Sequence, residues 1–590
     1  MQSAETVLGV LRERGRRGLP LNELYRQLFN PQLYLLAYGR IYSNQGAMTP
    51  GATGETVDGM SLDKIGRIIG AMRRECFRFS PARRVYIPKK NGRKRPLGLP
   101  TWTDKIVGEV VRLLLEAYYE PTFSDRSHGF RPRRGCHTAL TEIANTWTGT
   151  AWFIEGDIAD CFGSLDHEVM ITILSEKIHD NRFLRLIRGM LRAGYLEDWT
   201  WNATLSGAPQ GGTASPIMSN IYLHKLDDFV ERVLIPEHTR GAYRRRSRAY
   251  GTLTAAIGRA RVRGDREAVK LMRKQQRTMP SVDPDDPGYR RLRYIRYADD
   301  HLLGFCGPKA EAEEIKQRLA QFLREDLKLE LSAEKTLITH ARNRAARFLG
   351  YEITVQHNDT TATRGRRSIN GGVRLGVPAA VLDAKRAQYL QRNAKPLRRT
   401  GLMNDHPYAI IRTYGAEFRG FAQYYMLAAD VARLYRLRWD MERSMFTTLA
   451  AKHRATPWAM RDRYKSTIET PHGKRRCFEA HLVRSGRPPL VARFGGFALR
   501  RQKDAVLIDR VPNPRRPGRQ LIQRLLTGIC EICNNTDGIT VHHVRRLADL
   551  DPAANTDAPR WAKLMSTKRR KSLIVCGRCH DSIHLRRDDS

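Results

Sequence analysis

Acidic residues are scarce in this chain. Its 590 residues carry 61 Asp and Glu against 103 Lys and Arg, a formal net charge of +42. Self-repulsion on that scale is far from a typical soluble enzyme and needs a polyanionic partner, of which nucleic acid is the obvious one; charge alone also allows a membrane surface. Long apolar runs are missing too. None approaches the ~20 residues of a spanning helix. The N-terminus has neither a signal-peptide apolar core nor an acid-free transit-peptide look, because Glu5 and Glu13 interrupt it. A cytoplasmic, nucleic-acid-associated protein is therefore expected, with no membrane partner. Cysteine is sparse: nine are too few and too scattered for a disulfide scaffold. Cys76, Cys136, Cys161, Cys306 and Cys477 stand alone and read as small buried hydrophobes. No internal repeat or low-complexity tract is visible. A hydrophobic content of 41% supports globular folding, and the length is enough for several domains.

What is present is most telling at Tyr297-Ala298-Asp299-Asp300, inside the stretch Leu292–Phe305. Apolar and aromatic residues flank two adjacent carboxylates, which reads as strand, tight turn and strand with the acids at the tip. Aspartates beside such an apolar hairpin are expensive to bury without a positive partner, and a divalent metal carrying a nucleoside triphosphate would be one. Two-metal nucleotidyl transfer needs carboxylates bridging ions about 3.5–4 Å apart, so a third acid from a neighbouring strand is expected. Asp157, where the apolar run 151–157 meets a helix, is the candidate. An exposed acidic turn is the competing reading of Asp299-Asp300 alone. Asp160 and Asp166 read as capping or surface acids, and His301 as a packing or surface residue.

The rest of the chain divides by composition. Residues 1–80 are mostly helical and include a polar, glycine-containing loop at Asn44–Gly51. Residues 81–360 follow, opening with a basic hairpin over 83–100 whose turn is Asn91-Gly92. Within them, 234–290 is dense in arginine and poor in large apolar residues. It is either an inserted arm that touches RNA or a solvated helical surface. Residues 361–470 are largely helical, with aromatics such as Tyr414, Phe418 and Trp439 interleaved among arginines; most are core, and a minority could stack on bases. Residues 471–520 form a basic region ending in the stiff linker Val511–Arg519. Residues 521–590 form a compact module rich in cysteine and histidine.

In that order these blocks resemble reverse transcriptases. Phe153–Asp166 is similar to their first palm motif, Tyr297–Asp300 to their metal-binding signature, and Ser206–Asn220 to the loop before a palm helix. Leu331–Thr336 and Phe348–Tyr351 are similar to the last two palm motifs. The resemblance implies that Asp157, Asp299 and Asp300 hold two Mg²⁺ ions. It places Lys94 and Arg95 in the fingers against the triphosphate and Gln210 beside the incoming deoxynucleotide. Phe162 would exclude a ribose 2′-hydroxyl by volume, and Arg131, in Ser127–Gly135, would sit in a template-contacting segment.

The C-terminal module carries Cys530-x-x-Cys533 and Cys576-x-x-Cys579, two pairs of the kind a tetrahedral Cys₄ zinc site needs. A redox dithiol is the alternative for either pair alone, but no thioredoxin-like pattern surrounds them. Val541–Val544 and Cys579–His584 resemble HNH endonucleases, and His580 and His584, four apart, can face one ion from a helix. The resemblance makes His542, His580 and His584 ligands of a catalytic divalent metal and His543 the general base. Ser572 stands where that family often has asparagine. A zinc-stabilised DNA-binding knuckle without cleavage is the alternative.

Taken together the chain resembles group II intron-encoded proteins. The N-terminal extension, the Gly129–Pro132 and Gln210–Gly212 phrases, the helical region after the palm and the terminal nuclease all carry that likeness. The implied fold is α+β and multidomain: a right-hand polymerase with fingers, a palm built on an antiparallel sheet and a helical thumb, plus a small zinc-stabilised ββα-metal HNH module. The implied function is an RNA-directed DNA polymerase and maturase. It would bind its intron RNA, promote splicing, nick target DNA and copy the intron from the resulting 3′-hydroxyl. A non-catalytic splicing cofactor with relic domains competes, and so does a reverse transcriptase of a defence system. The three aspartates favour an enzyme, and the terminal module argues against the defence system.

Overall fold

Strand periodicity explains the centre of the molecule. Trp152–Asp157, Arg291–Tyr297 and Asp300–Cys306 are antiparallel neighbours in a five-stranded sheet, flanked by Ile338–His340 on one side and Ser127–His128, which runs parallel to its neighbour, on the other. Alternate residues point to opposite faces. Ile154, Leu303 and Tyr294 therefore enter one core, with the helices Trp102–Tyr119, Ser215–Phe229 and Lys309–Glu325. Phe153, Leu302 and Ile295 enter another, with the helix Cys136–Thr146 and the C-terminal helices. The computed structural model describes residues 2–585 apart from 89–91, 93, 199, 205, 208–211, 284–285, 333, 359–361, 364–365, 368–369, 472, 485, 508–518 and 551–557.

The basic hairpin pairs Ala82–Pro88 with Lys94–Leu99 antiparallel; Ala82–Pro88 also pairs in parallel with Tyr195–Glu197, which pairs antiparallel with Thr200–Asn202. Asn91 of its expected turn lies outside the described residues. The arginine-rich insertion is a helical hairpin, Arg248–Val262 and Arg266–Thr278; the second helix buries no residue. Its two ends meet through bridges between Arg240 and Arg290 and between Arg246 and Val282.

Residues 379–464 form the helices Ala379–Ala387, Pro407–Tyr424, Leu434–His453 and Pro457–Tyr464. Strands follow these helices and pack back on them. Lys465–Ile468, Arg475–Arg484 and Arg487–Gly495 form one antiparallel sheet, and its Phe478, Ala480, Ala492 and Phe494 share a core with Phe418 and Phe446. This stretch packs on the helical unit; residues 511–518 of the expected linker lie outside the described residues. Gly415 lets the helix Pro407–Tyr424 approach the sheet, for a Cβ there would stand 2.2 Å from the Arg493 carbonyl oxygen. Gly415→Ala is expected to cost about 1–3 kcal/mol, read as a lower melting temperature; an unchanged melt would mean that the sheet moves freely on the helix.

Residues 1–80 and 521–585 are in contact. Met60–Ser61 pairs with Thr540–His543, which pairs with Ser572–Val575. Leu521, Leu525, Val541 and Ile574 lie in the same core as the N-terminal helices Ala4–Arg16 and Pro31–Ile41. The C-terminal module is thus docked on the N-terminal extension.

Candidate active site and metal centres

Strand register brings the first set of acids together. Asp157 is the last residue of its strand and pairs directly with Asp300. Tyr297 pairs with Asp300 across a two-residue turn, so Asp299 projects at the tip. Ala298 takes a positive φ of 55° there, and its N–H donates to the His128 carbonyl at 3.0 Å. The Ser127–Gly135 segment therefore braces the hairpin through the parallel strand.

Three carboxylates crowd this point. Burial, then the charge of Asp299 and contact with Asp157, push the Asp300 carboxyl up to about 7. Burial raises Asp299 as well, and Asp157 adds to it, while the charges of Lys335 and Arg95 hold it down. Lys335 Nζ lies 2.5 Å from Asp157 Oδ2. Such a trio, repelling itself beside apolar strands, fits divalent cations by its donor chemistry.

The other residues of the expected constellation divide. Arg95 and Lys94 are exposed on their strand, and the Arg95 charge reaches Asp299. Phe162 lies edge-on to Phe130, with ring centroids 6.3 Å apart, and Phe130 is 39% exposed. Gln210 lies outside the described residues. Arg131 is 3% exposed, and its guanidinium is occupied by Glu120 and by the Ser124 and Ser127 carbonyls, so it holds the loop of its segment. His301 packs over Gly156, where any side chain would collide with its ring. Asp166 caps the helix His167–Ser175.

Two features beside these acids were missed. One is the link from Lys335 to Asp157. The other is Arg296, fully buried against fully buried Asp227. Parity was the available signal, since Arg296 shares a face with Leu292 and Tyr294, both buried.

The four cysteines converge. All their sulfur atoms lie within 4.8 Å of one another, and Cys533 is 3.6 Å from Cys576 and 3.5 Å from Cys579. Four thiolates about 2.3 Å from a tetrahedral ion stand about 3.8 Å apart, so the set fits zinc. Burial pushes the Cys530 thiol up, but the backbone N–H groups of Cys533, Cys576 and Ile532 outweigh it and hold the thiol at about 7.

A second cluster holds His542, His580 and His584, joined by Asp58. Asp58 was missed, and nothing around it in residues 1–80 marks it. His543 is 4% exposed, and its Nε2 is 2.9 Å from the Tyr38 hydroxyl. Burial lowers it to about 4, which leaves its imidazole neutral. Ser572 pairs opposite His543 across the strands.

Three family profiles cover the regions just described. Residues 87–244 match a reverse transcriptase (RNA-dependent DNA polymerase), residues 379–469 a type II intron maturase, and residues 530–580 an AI2M/AI1M-like HNH endonuclease. The group II intron-encoded protein LtrA of Lactococcus lactis subsp. cremoris is 37% identical over 586 residues, covering 94% of each chain. The chain belongs to the group II intron-encoded proteins. Like that family it is a maturase and reverse transcriptase with an HNH endonuclease domain, and it binds RNA. An uncharacterized 91 kDa protein in the cob intron of Schizosaccharomyces pombe is 32% identical over 95% of this chain and 69% of its own. The putative COX1/OXI3 intron 1 protein of Saccharomyces cerevisiae matches with the same identity and shares. In this member the reverse transcriptase match ends at 244, just before the two helices of the basic arm. No helix among the described residues is long and apolar enough to cross a membrane.

Proposed function

We propose that this group II intron-encoded protein has the right-hand polymerase architecture, with the hairpin 82–99 in the fingers, the five-stranded sheet as palm and the helices of 379–464 as thumb, and a ββα-metal nuclease at the C-terminus. It binds its intron RNA, promotes splicing, nicks target DNA and extends the nick with deoxynucleoside triphosphates. The observation that carries this reading is the pairing of Asp157 with Asp300 beside the Asp299 tip.

Asp157, Asp299 and Asp300 would hold two Mg²⁺ ions. Bound there, the ions would activate the primer 3′-hydroxyl and neutralise the leaving pyrophosphate. Lys94 and Arg95 meet the triphosphate from the exposed strand. Phe162, backed by Phe130, would exclude a 2′-hydroxyl by volume. In the nuclease, His542, His580 and His584 hold the divalent ion, and His543 takes the proton of the attacking water. The charge of +42 serves both RNA and DNA, so binding should fall steeply with salt. The test supplies a primer annealed to an RNA template with Mg²⁺. The intact chain extends it and Asp299→Ala does not; equal products from both would remove the polymerase assignment.

Zinc in the Cys₄ set holds the nuclease together, because its own apolar core is small: Val544, Met565, Leu573, Val575 and Ile583 beside the cysteines. Cys533→Ser, or an excess of zinc chelator, is expected to make 530–585 protease-sensitive while the rest of the chain stays resistant. Resistance retained without zinc would mean that docking alone holds the module.

A further inference from the structure

The histidine cluster of the nuclease is completed from the opposite end of the chain. Asp58 Oδ1 lies 3.3 Å from both His542 Nδ1 and His580 Nε2, and Oδ2 lies 2.9 Å from His584 Nε2. Both oxygens are thus shared among the three imidazoles, at the point where these side chains converge. The carboxylate is held rather than merely nearby. The His543 backbone N–H donates to Oδ1 at 2.7 Å, and the Asp58 N–H donates to Thr56 Oγ1 at 3.2 Å. The strand Met60–Ser61 continues the nuclease sheet, and the Gly59 N–H donates to the Val541 carbonyl at 3.0 Å, with Gly59 at a φ of 75°. Register therefore delivers Asp58 to the cluster.

Three imidazole nitrogens and one carboxylate oxygen form a complete four-coordinate donor set for a divalent ion. A catalytic site needs that fourth place for water or for the scissile phosphate. The base is closed as well. His543 Nε2 meets the Tyr38 hydroxyl, Tyr42 lies against the ring at 6.1 Å, and the imidazole is buried. The N-terminal extension thus covers the base, while the His584 side chain stays partly exposed to solvent.

We propose that Asp58 is the fourth protein ligand of the nuclease metal and closes that site against DNA until a backbone phosphate displaces it. The inference rests on the nuclease reading above. One divalent ion then ties the N-terminal extension to the C-terminal module. Cleavage is coupled to undocking of the two-residue strand Met60–Ser61, which must draw the fully buried Met60 out of the core it shares with the N-terminal helices.

The test uses the full-length chain with zinc already in the cysteine site and follows Co²⁺ by the visible absorption of imidazole-bound cobalt. Asp58→Ala and Asp58→Asn are expected to bind Co²⁺ at least about tenfold more weakly than the parent. The asparagine retains the His543 amide contact and so controls for folding. Unchanged affinity in both variants, with loss in His584→Ala, would overturn Asp58 as a ligand. Unchanged affinity in His584→Ala too would overturn the nuclease metal site itself. Hydrogen exchange gives a second readout. Amides of 57–61 should gain protection on adding Co²⁺ in the parent, not in Asp58→Ala, and lose it when a mixed-sequence DNA duplex is added. At saturating Mg²⁺, Asp58→Ala should nick duplex DNA several-fold faster than the parent. Protection that DNA leaves intact, or nicking reduced to the level of His543→Ala, would overturn the closure.

Discussion

Primer extension on an RNA template falls at least about 10³-fold when Asp300 becomes asparagine, yet in a chelator the same variant melts at a higher temperature than its parent. Both results have one cause. Burial and the charges of Asp299 and Asp157 push the Asp300 carboxyl up to about 7. In the folded chain it therefore holds a proton over a range, from the ordinary value of 3.8 up to about 7, where the unfolded chain has released it. Stability from this group is fullest below the unfolded value and is lost as pH rises through the folded one. Above that point a buried, repelled carboxylate remains, a destabilisation kept for catalysis. Melts of metal-free protein at about pH 8 and about pH 6 check the sign: the parent gains stability on acidification relative to Asp300→Asn. A variant that melts below its parent at both values would make the acids structural, and retained extension would remove them from the reaction.

The acids were legible because their determinants are local. Parity placed the apolar residues, the turn placed Asp299, and the end of an apolar run marked Asp157. The cysteine pairs were legible for the same reason, each being a short turn. Determinants from distant parts of the chain were not. Asp58 and Tyr38 act on histidines at the far end of the sequence, with no pattern around them to announce it. Arg131 stands in a motif read as template-facing, and its ties to Glu120, Ser124 and Ser127 could not be read from that motif. The strands of 465–495 were hidden by their own arginines. Arg475, Arg476, Arg484 and Arg493 dominate the composition, while Cys477, Phe478, Ala480, Ala492 and Phe494 do the packing.

Removing Arg296 tests how the hairpin tip is held. Its guanidinium donates to Asp227 at 2.8 and 2.6 Å, to Asn220 Oδ1 at 3.2 Å, to Ser127 Oγ at 2.8 Å and to the Ala298 carbonyl at 2.8 Å. The Tyr294 hydroxyl donates to Asp227 as well, at 2.9 Å. One cation thus ties the helix Ser215–Phe229, the short parallel strand and the turn that carries Asp299. Burial alone would raise Asp227, but the Arg296 charge and hydrogen bonds outweigh it and hold the carboxyl at about 2. Arg296→Met leaves that carboxylate buried without its partner and should cost about 3–5 kcal/mol, read as a fall in melting temperature. Asp227→Leu should cost a similar amount. Together, Arg296→Met and Asp227→Leu should recover much of the loss, because an apolar pair of similar volume avoids the desolvation of two ions. Primer extension should not recover with it, since the Ala298 carbonyl loses its donor and the turn loosens where the metal ligands must stay fixed. A double variant that is both stable and fully active would mean that strand pairing alone positions Asp299, and that the buried ion pair serves only the fold.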